Sequence, residues 1–465
     1  MRALWALIAS LMCCASGATE ESGGGPGSSA PYPDRWWADH IGLDASSATT
    51  DVLAQHCAAP QPVTVAVIDT GIDYLHPDLP RTQLWVNAGE KLNGLDNDHD
   101  GYVGDLIGWN FVDGDNNPFD DAGHGTLIAG LIAAAPGGRS PGINPSARIM
   151  ALKVLNAAGY GRSSDLAAAV DFARTHGARV INLSLGDAEL GEVGARAVRR
   201  AIDAGVLVVA AAGNQARDTH DFGLADLDGV LTVAATDRDD RRAKFANWGR
   251  SVRIAAPGVD ILGLRARGTD LIATSGAAVY RPGAASVGPE GRYYRASGTS
   301  FAAAIVSGSA SLLLSCRPTL TGVEAGRLLV QSARELEPKG VNLQTGYGLL
   351  DVRAALTGDE KFWVEAQIDA VALGGSAEAP TIVVTGTTDA SAFGGARLRA
   401  APESYPDDWL DVGAPLATAV HAGKVAEFDA RTLRGPHRWI LELVTTNSDG
   451  KTRAARYALD LRAAP

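Results

Sequence analysis

The chain has 465 residues, 46% hydrophobic and 20% charged, with a formal net charge of −12. That balance describes a globular protein with a sizeable core, of two or three domains at roughly 150 residues each. The acidic total argues against a nucleic-acid-binding surface, and no stretch after the first 18 residues is apolar enough for a membrane span.

Residues 1–18 read as a secretory signal peptide: Arg2, an apolar run over 3–12, then the small residues Ala15, Ser16, Gly17 and Ala18. Residues 20–29 are Gly/Ser-rich and form a tether, so 19–60 is taken as tether plus N-terminal arm, with Trp36, Trp37 and Ile41 in the arm. Cys13 or Cys14 offers a lipid-anchored alternative, although Leu11-Met12 fits a lipoprotein cleavage box poorly. Without the leader only Cys57 and Cys316 remain, and whether they pair is a matter of geometry that sequence leaves open.

From residue 61 the pattern alternates strand and helix. Residues 63–68 form an apolar run that ends in Asp69-Thr70-Gly71, a buried strand with a carboxylate at its carboxyl end. Further on, Asp96, Asp98, Asp100 and Asp105, with Gly101 for a sharp turn, have the alternation of an oxygen cage for calcium, completed by the Tyr102 carbonyl. A full EF-hand is excluded, because its twelfth position is Ile107. Gly123-His124-Gly125-Thr126 precedes an apolar run over 127–135, placing a histidine on the opening turn of a buried helix.

Strands follow over 149–155, 180–183, 206–210, 230–235 and 252–255, with helices from 163 to the closing Gly177 and over 193–204. Such alternation predicts right-handed crossovers and a parallel sheet covered on both faces, with ligands beyond the carboxyl ends of the strands. Asp69, Ser184-Leu185-Gly186 and Gly213-Asn214 all fall at such ends. Gly298-Thr299-Ser300 then opens an apolar helix running to 314, where unpaired N–H groups and the helix dipole favour an oxyanion beside Ser300. A serine needs a base, and the base needs an orienting group; His124 and Asp69 are the candidates upstream.

Taken together, Val67-Ile68-Asp69-Thr70-Gly71-Ile72-Asp73, His76-Pro77-Asp78-Leu79, His124-Gly125-Thr126 and Gly298-Thr299-Ser300 resemble the subtilisin-like serine proteases, or subtilases, in their chain order of aspartate, histidine and serine. The resemblance implies a three-layer α/β/α catalytic domain over 61–357 and a serine endopeptidase acting on protein or peptide substrates. It implies Asp69, His124 and Ser300 as the triad and Asn214 as oxyanion donor. It also implies substrate contacts at Ser184, Leu185, Gly186, Ala211, Ala212 and Gly213. Three places depart from the family pattern: Phe301 and Ala304 after the serine, Leu127 where a second histidine is common, and a long Gly/Ala-rich segment over 262–295. A second family calcium site would use Asp78, but residues 135–145 are too short for its loop. The tether likewise leaves no room for the folding-assistant propeptide usual in secreted members.

Past residue 358 the pattern changes to short alternating strands, with a hairpin turn at Asn447-Ser448-Asp449-Gly450. Residues 362–465 are therefore expected to form a small β-sandwich, resembling the immunoglobulin-like modules of bacterial secreted enzymes, with no catalytic cluster. The function expected is a secreted endopeptidase with structural Ca²⁺. The alternatives are a non-catalytic subtilase-like binding protein and an envelope-tethered processing protease with one partner.

Overall fold

The structure, a computed structural model, describes residues 34–44, 47–185, 190–220, 222–269, 286–287, 291–376, 378–404 and 408–462. The expected leader and tether, and Gly186, lie outside them.

Seven strands, β1 (Thr64–Asp69), β2 (Gly108–Asn110), β3 (Arg148–Lys153), β4 (Val180–Leu183), β5 (Leu207–Ala211), β6 (Leu231–Thr236) and β7 (Val252–Pro257), form one sheet in the order β2-β3-β1-β4-β5-β6-β7. Every pairing in it is parallel. Successive side chains of a strand face opposite ways, and both faces here are covered. Val65 and Val67 pack with Leu127 and Ile305 of the helices His124–Ala133 and Thr299–Cys316. Ala66 and Ile68 pack with Leu166, Val170 and Ala197 of the helices Ser163–Thr175 and Gly191–Asp203. The helix Thr299–Cys316 is long and apolar enough to cross a membrane by composition, yet it is the buried centre of this core.

The stems of the long Gly/Ala-rich segment are regular. β8 (Ile261–Leu264), β9 (Ser286–Val287) and β10 (Tyr293–Ala296) make an antiparallel sheet in the order β8-β10-β9. It lies on the histidine helix at Gly130, where an added Cβ would meet Leu264 at 2.5 Å. Tyr280 falls outside the described residues, whereas Tyr293 donates a hydrogen bond to Asp78.

The C-terminal strands β11 (Val364–Gly375), β12 (Pro380–Ala390), β13 (Phe393–Pro402), β14 (Leu410–Asp411), β15 (Val420–Asp429), β16 (Arg438–Asn447) and β17 (Thr452–Asp460) form two antiparallel sheets, β11-β12-β15 and β14-β13-β16-β17. Ile382 and Val384 of one share a core with Leu398, Leu441 and Leu443 of the other, as facing sheets do. Buried Glu442 is held between Arg399 and Arg456, whose guanidinium groups lie over Trp409. Arg253 pairs with Glu365, and Gln331 bonds the Val364 carbonyl, joining these sheets to the α/β unit. The thiols left open by sequence are joined: Cys57 and Cys316 form a disulfide, with Cα atoms 4.5 Å apart, that ties the N-terminal arm to the end of the serine helix.

Candidate active site

Asp69 is the last residue of β1 and fully buried; one oxygen accepts the Thr70 N–H at 2.7 Å. His124 opens its helix with Nδ1 2.8 Å from Oδ1 and 2.9 Å from Oδ2 of Asp69. A carboxylate only accepts, so Nδ1 carries the proton and Nε2 is the basic nitrogen. Burial pushes the His124 imidazole pKa down, but the charge and hydrogen bond of Asp69, with Asp120 behind, outweigh it and hold the pKa above its ordinary value.

The close approach of the two elements depends on glycine. A Cβ on Gly125 would stand 2.1 Å from the Gly71 carbonyl oxygen, and Gly71 itself has φ 102°. Around this contact Asp120 accepts from Thr70 Oγ1, the N–H groups of Ala122, Gly123 and Thr126, and Thr126 Oγ1. Complete burial raises the Asp120 pKa against those bonds. Lys153, beside Asp69 in the sheet and 2% exposed, donates to the carbonyls of Thr70 and Leu155 and to Asp121. No motif in the sequence marks Asp120, Asp121 or Lys153; their roles come from these contacts.

Ser300 is the second residue of its helix, and its Oγ lies 3.2 Å from the Ser184 carbonyl oxygen. Phe301, the first departure from the family pattern, is fully buried with its ring 5.8 Å from the His124 imidazole, so it backs the base. Asn214 follows β5, and its Oδ1 accepts both the N–H and the hydroxyl of Thr299, each at 2.9 Å. Those bonds fix which end of the amide is the donor. A Cβ on Gly298 would stand 3.5 Å from Asn214 Nδ2, in ordinary contact, so Gly298 lies beside the donor end. Thr299, which sets this amide, was missed by sequence reasoning although it sits inside the motif.

Asp69 is thus joined to His124, Asn214 to Thr299, and Ser300 to Ser184, at the carboxyl ends of parallel strands and the openings of two helices. Residues 61–348, more than half of the chain, match the Subtilase family. The chain belongs to the subtilase family. That family is one of serine endopeptidases. The subtilase is 35% identical over 295 residues to the thermophilic serine proteinase of Bacillus sp. (strain AK1), a match covering 63% of this chain and 61% of that protein. It is 32% identical over 301 residues to subtilisin DY of Bacillus licheniformis, covering 63% and 90% respectively. Among solved structures it is similar to a cold-adapted subtilisin-like serine proteinase, with TM-score 0.51 and 27% identity over 69% of this chain and 97% of that one. A lanthipeptide protease gives TM-score 0.52 and 26% identity over 70% and 94%.

Of the substrate segments, Ser184 and Leu185 lie just past β4, and Ala211, Ala212 and Gly213 at the end of β5, all buried. Gly186 is outside the described residues. Phe222 and Asn247 back the wall: a Cβ on Gly213 would meet the Phe222 ring at 2.6 Å and Asn247 Nδ2 at 2.4 Å.

The acidic loop gathers its carboxylates in two overlapping sets that share Asp98, one with Glu90 and Asp105 and one with Asp100 and His176. Glu90, Asp98 and Asp105 bring carboxylate oxygens within 4.8 Å of one another, and Asn87 Nδ2 donates to both aspartates. Burial raises the Asp105 pKa to about 6. Asp96 instead accepts the N–H groups of His99, Asp100 and Gly101, and Asp100 faces His176 at 3.0 Å. The Tyr102 ring packs on Trp109, Phe111 and Phe172. Of the five residues read from sequence, Asp98 and Asp105 gather with Glu90, and Asp98 and Asp100 gather with His176, while Asp96 binds its own turn; Glu90 and Asn87 join from upstream.

Proposed function

We propose that this subtilase is an exported endopeptidase that hydrolyses peptide bonds through an acyl-enzyme. Ser300 Oγ attacks the scissile carbonyl carbon while His124 Nε2 takes its proton. The tetrahedral oxyanion accepts from Asn214 Nδ2 and the Ser300 N–H. As the carbon–nitrogen bond breaks, His124 returns the proton to the amine. Water then repeats the sequence on the ester, releasing the acid and restoring Ser300. Asp69 holds the Nδ1–H tautomer and stabilises the cation at each step. The Asp69–His124 pair is the observation that carries this reading. A protein substrate incubated with wild type and with Ser300→Ala tests it: cleavage by the first alone supports it, and equal cleavage by both refutes it.

Export is inferred from the leader and agrees with a disulfide between Cys57 and Cys316, which a reducing compartment would not keep. Residues 362–465 are assigned as an immunoglobulin-like accessory module whose partner chemistry is open. Ca²⁺ is assigned a structural role. The oxygen donors of Glu90, Asp98 and Asp105 suit a hard cation, which would neutralise three carboxylates drawn together in part-buried surroundings. A narrower role, processing of one partner, is favoured only by the similarity to the lanthipeptide protease structure.

A further inference from the structure

β4 is apolar at Val180, Ile181 and Leu183, yet its third residue is Asn182, fully buried. A buried amide left unpaired is costly, so the partners of Asn182 explain its presence. Its Oδ1 accepts from the Ser307 hydroxyl at 2.9 Å, and its Nδ2 donates to Ser184 Oγ at 2.9 Å. Ser184 Oγ in turn donates to the Ser300 carbonyl at 3.0 Å. Ser307 and Ser184 are 0% and 4% exposed.

The periodicities of the two elements produce this match. Asn182 and Ser184 are two residues apart in an extended segment and share a face. Ser300 and Ser307 are seven apart on one helix, about two turns, and also share a face. The strand face therefore lies along the helix face with two polar rungs, Asn182 against Ser307 and Ser184 against Ser300. Every donor in the chain points toward Ser300. Its carbonyl has a second lone pair to offer besides the one used within a helix, and Ser184 takes it. The Ser184 carbonyl, meanwhile, accepts from Ser300 Oγ at 3.2 Å. One residue thus holds the nucleophile's peptide unit with its hydroxyl and the nucleophile's side chain with its carbonyl.

We propose that Asn182 and Ser307 are positioning residues that fix Ser184 and, through it, the placement of Ser300. This inference rests on Ser300 as nucleophile. Both residues are fully buried, so their effect reaches the reaction only through Ser184 and Ser300.

The test compares Ser307→Ala, Asn182→Ala and Ser307→Thr with wild type by steady-state kinetics on one peptide substrate. Assays are run well below each variant's melting temperature. Loss of alignment predicts that kcat falls about 10-fold in Ser307→Ala and up to about 100-fold in Asn182→Ala, with KM changing by a smaller factor than kcat. Ser307→Thr keeps the hydroxyl and stays within about 3-fold of wild type in kcat. A purely structural role lowers the melting temperature but leaves kcat of the folded protein unchanged. Unchanged kcat in both alanine variants, or equal losses in Ser307→Thr and Ser307→Ala, overturns the proposal. Ser300→Ala is run alongside: turnover by that variant overturns the nucleophile assignment itself, whereas an inactive Ser300→Ala with normal alanine variants removes the positioning role alone.

Discussion

Asp69 and His124, 55 residues apart in sequence, meet through both carboxylate oxygens at 2.8 and 2.9 Å, with the histidine side chain 2% exposed and the aspartate 0%. As the proposed base, His124 must be neutral to work. Its pKa is raised, so kcat/KM should climb with pH through a midpoint above about 6.5. Asp69→Asn removes the charge that raises it and leaves the burial that lowers it. The acid limb should then shift to lower pH while kcat drops by about 10⁴. The linkage to stability has the matching sign: a raised imidazole pKa stabilises the fold fully below about pH 6.5, and that contribution is lost as pH rises through the folded value. A pH–rate profile of both proteins checks the shift, and an unmoved limb would mean that some other group titrates.

As the proposed oxyanion donor, Asn214 would act on charge that develops mainly in the transition state. Asn214→Leu should lower kcat by about 10²–10³ with KM nearly unchanged. Thr299 donates to Asn214 Oδ1 through both N–H and hydroxyl, so Thr299→Val should weaken the same step by a smaller factor. Steady-state kinetics decides, and a change confined to KM would assign Asn214 to substrate binding instead.

Where local pattern and local contact coincide, the sequence was readable. The run ending at Asp69, the helix opened by His124 and the helix opened by Ser300 each carry their periodicity within a few residues. Strand and helix limits fell within two or three residues of those observed for the same reason. Partnerships set by register were not readable. Asn182 meets Ser307 across 125 residues because a strand face and a helix face align, and no spacing announces that. Asp120 carries no sequence signal of its own, yet five donors converge on it around the turn before His124. Glu90 reaches the acidic cluster only because the chain turns back on itself, its carboxylate accepting the N–H groups of Asn97, Asp98 and Gly104.

The Cys57–Cys316 bond closes a span of 259 residues and joins the arm to the serine helix. Constraint of so long a loop in the unfolded chain should make it worth about 2–5 kcal/mol. Paired Cys57→Ser and Cys316→Ser replacement should lower the denaturant midpoint, and reducing agent should then have no further effect. Equal midpoints for variant and oxidised wild type would remove the bond from the account of stability.

The calcium assignment predicts that a chelator lowers the melting temperature. At a free ion concentration about 100 times its dissociation constant, binding stabilises the native state by about 2.7 kcal/mol. Glu90→Gln with Asp105→Asn should abolish the chelator's effect, whereas Asp96→Asn should keep it, because Asp96 is committed to its own turn. Calorimetry with and without chelator separates the outcomes. Sensitivity surviving in the double variant would place the ion elsewhere.

The central claim is that Ser300 is the nucleophile. It is tested most directly by treating the folded protein with a serine-directed fluorophosphonate and mapping the modified peptide by mass spectrometry. A single adduct on Ser300, formed in step with loss of peptide hydrolysis and absent from His124→Ala, is the predicted result. Full inactivation with the adduct on another residue, or hydrolysis persisting after Ser300 is stoichiometrically modified, would contradict it.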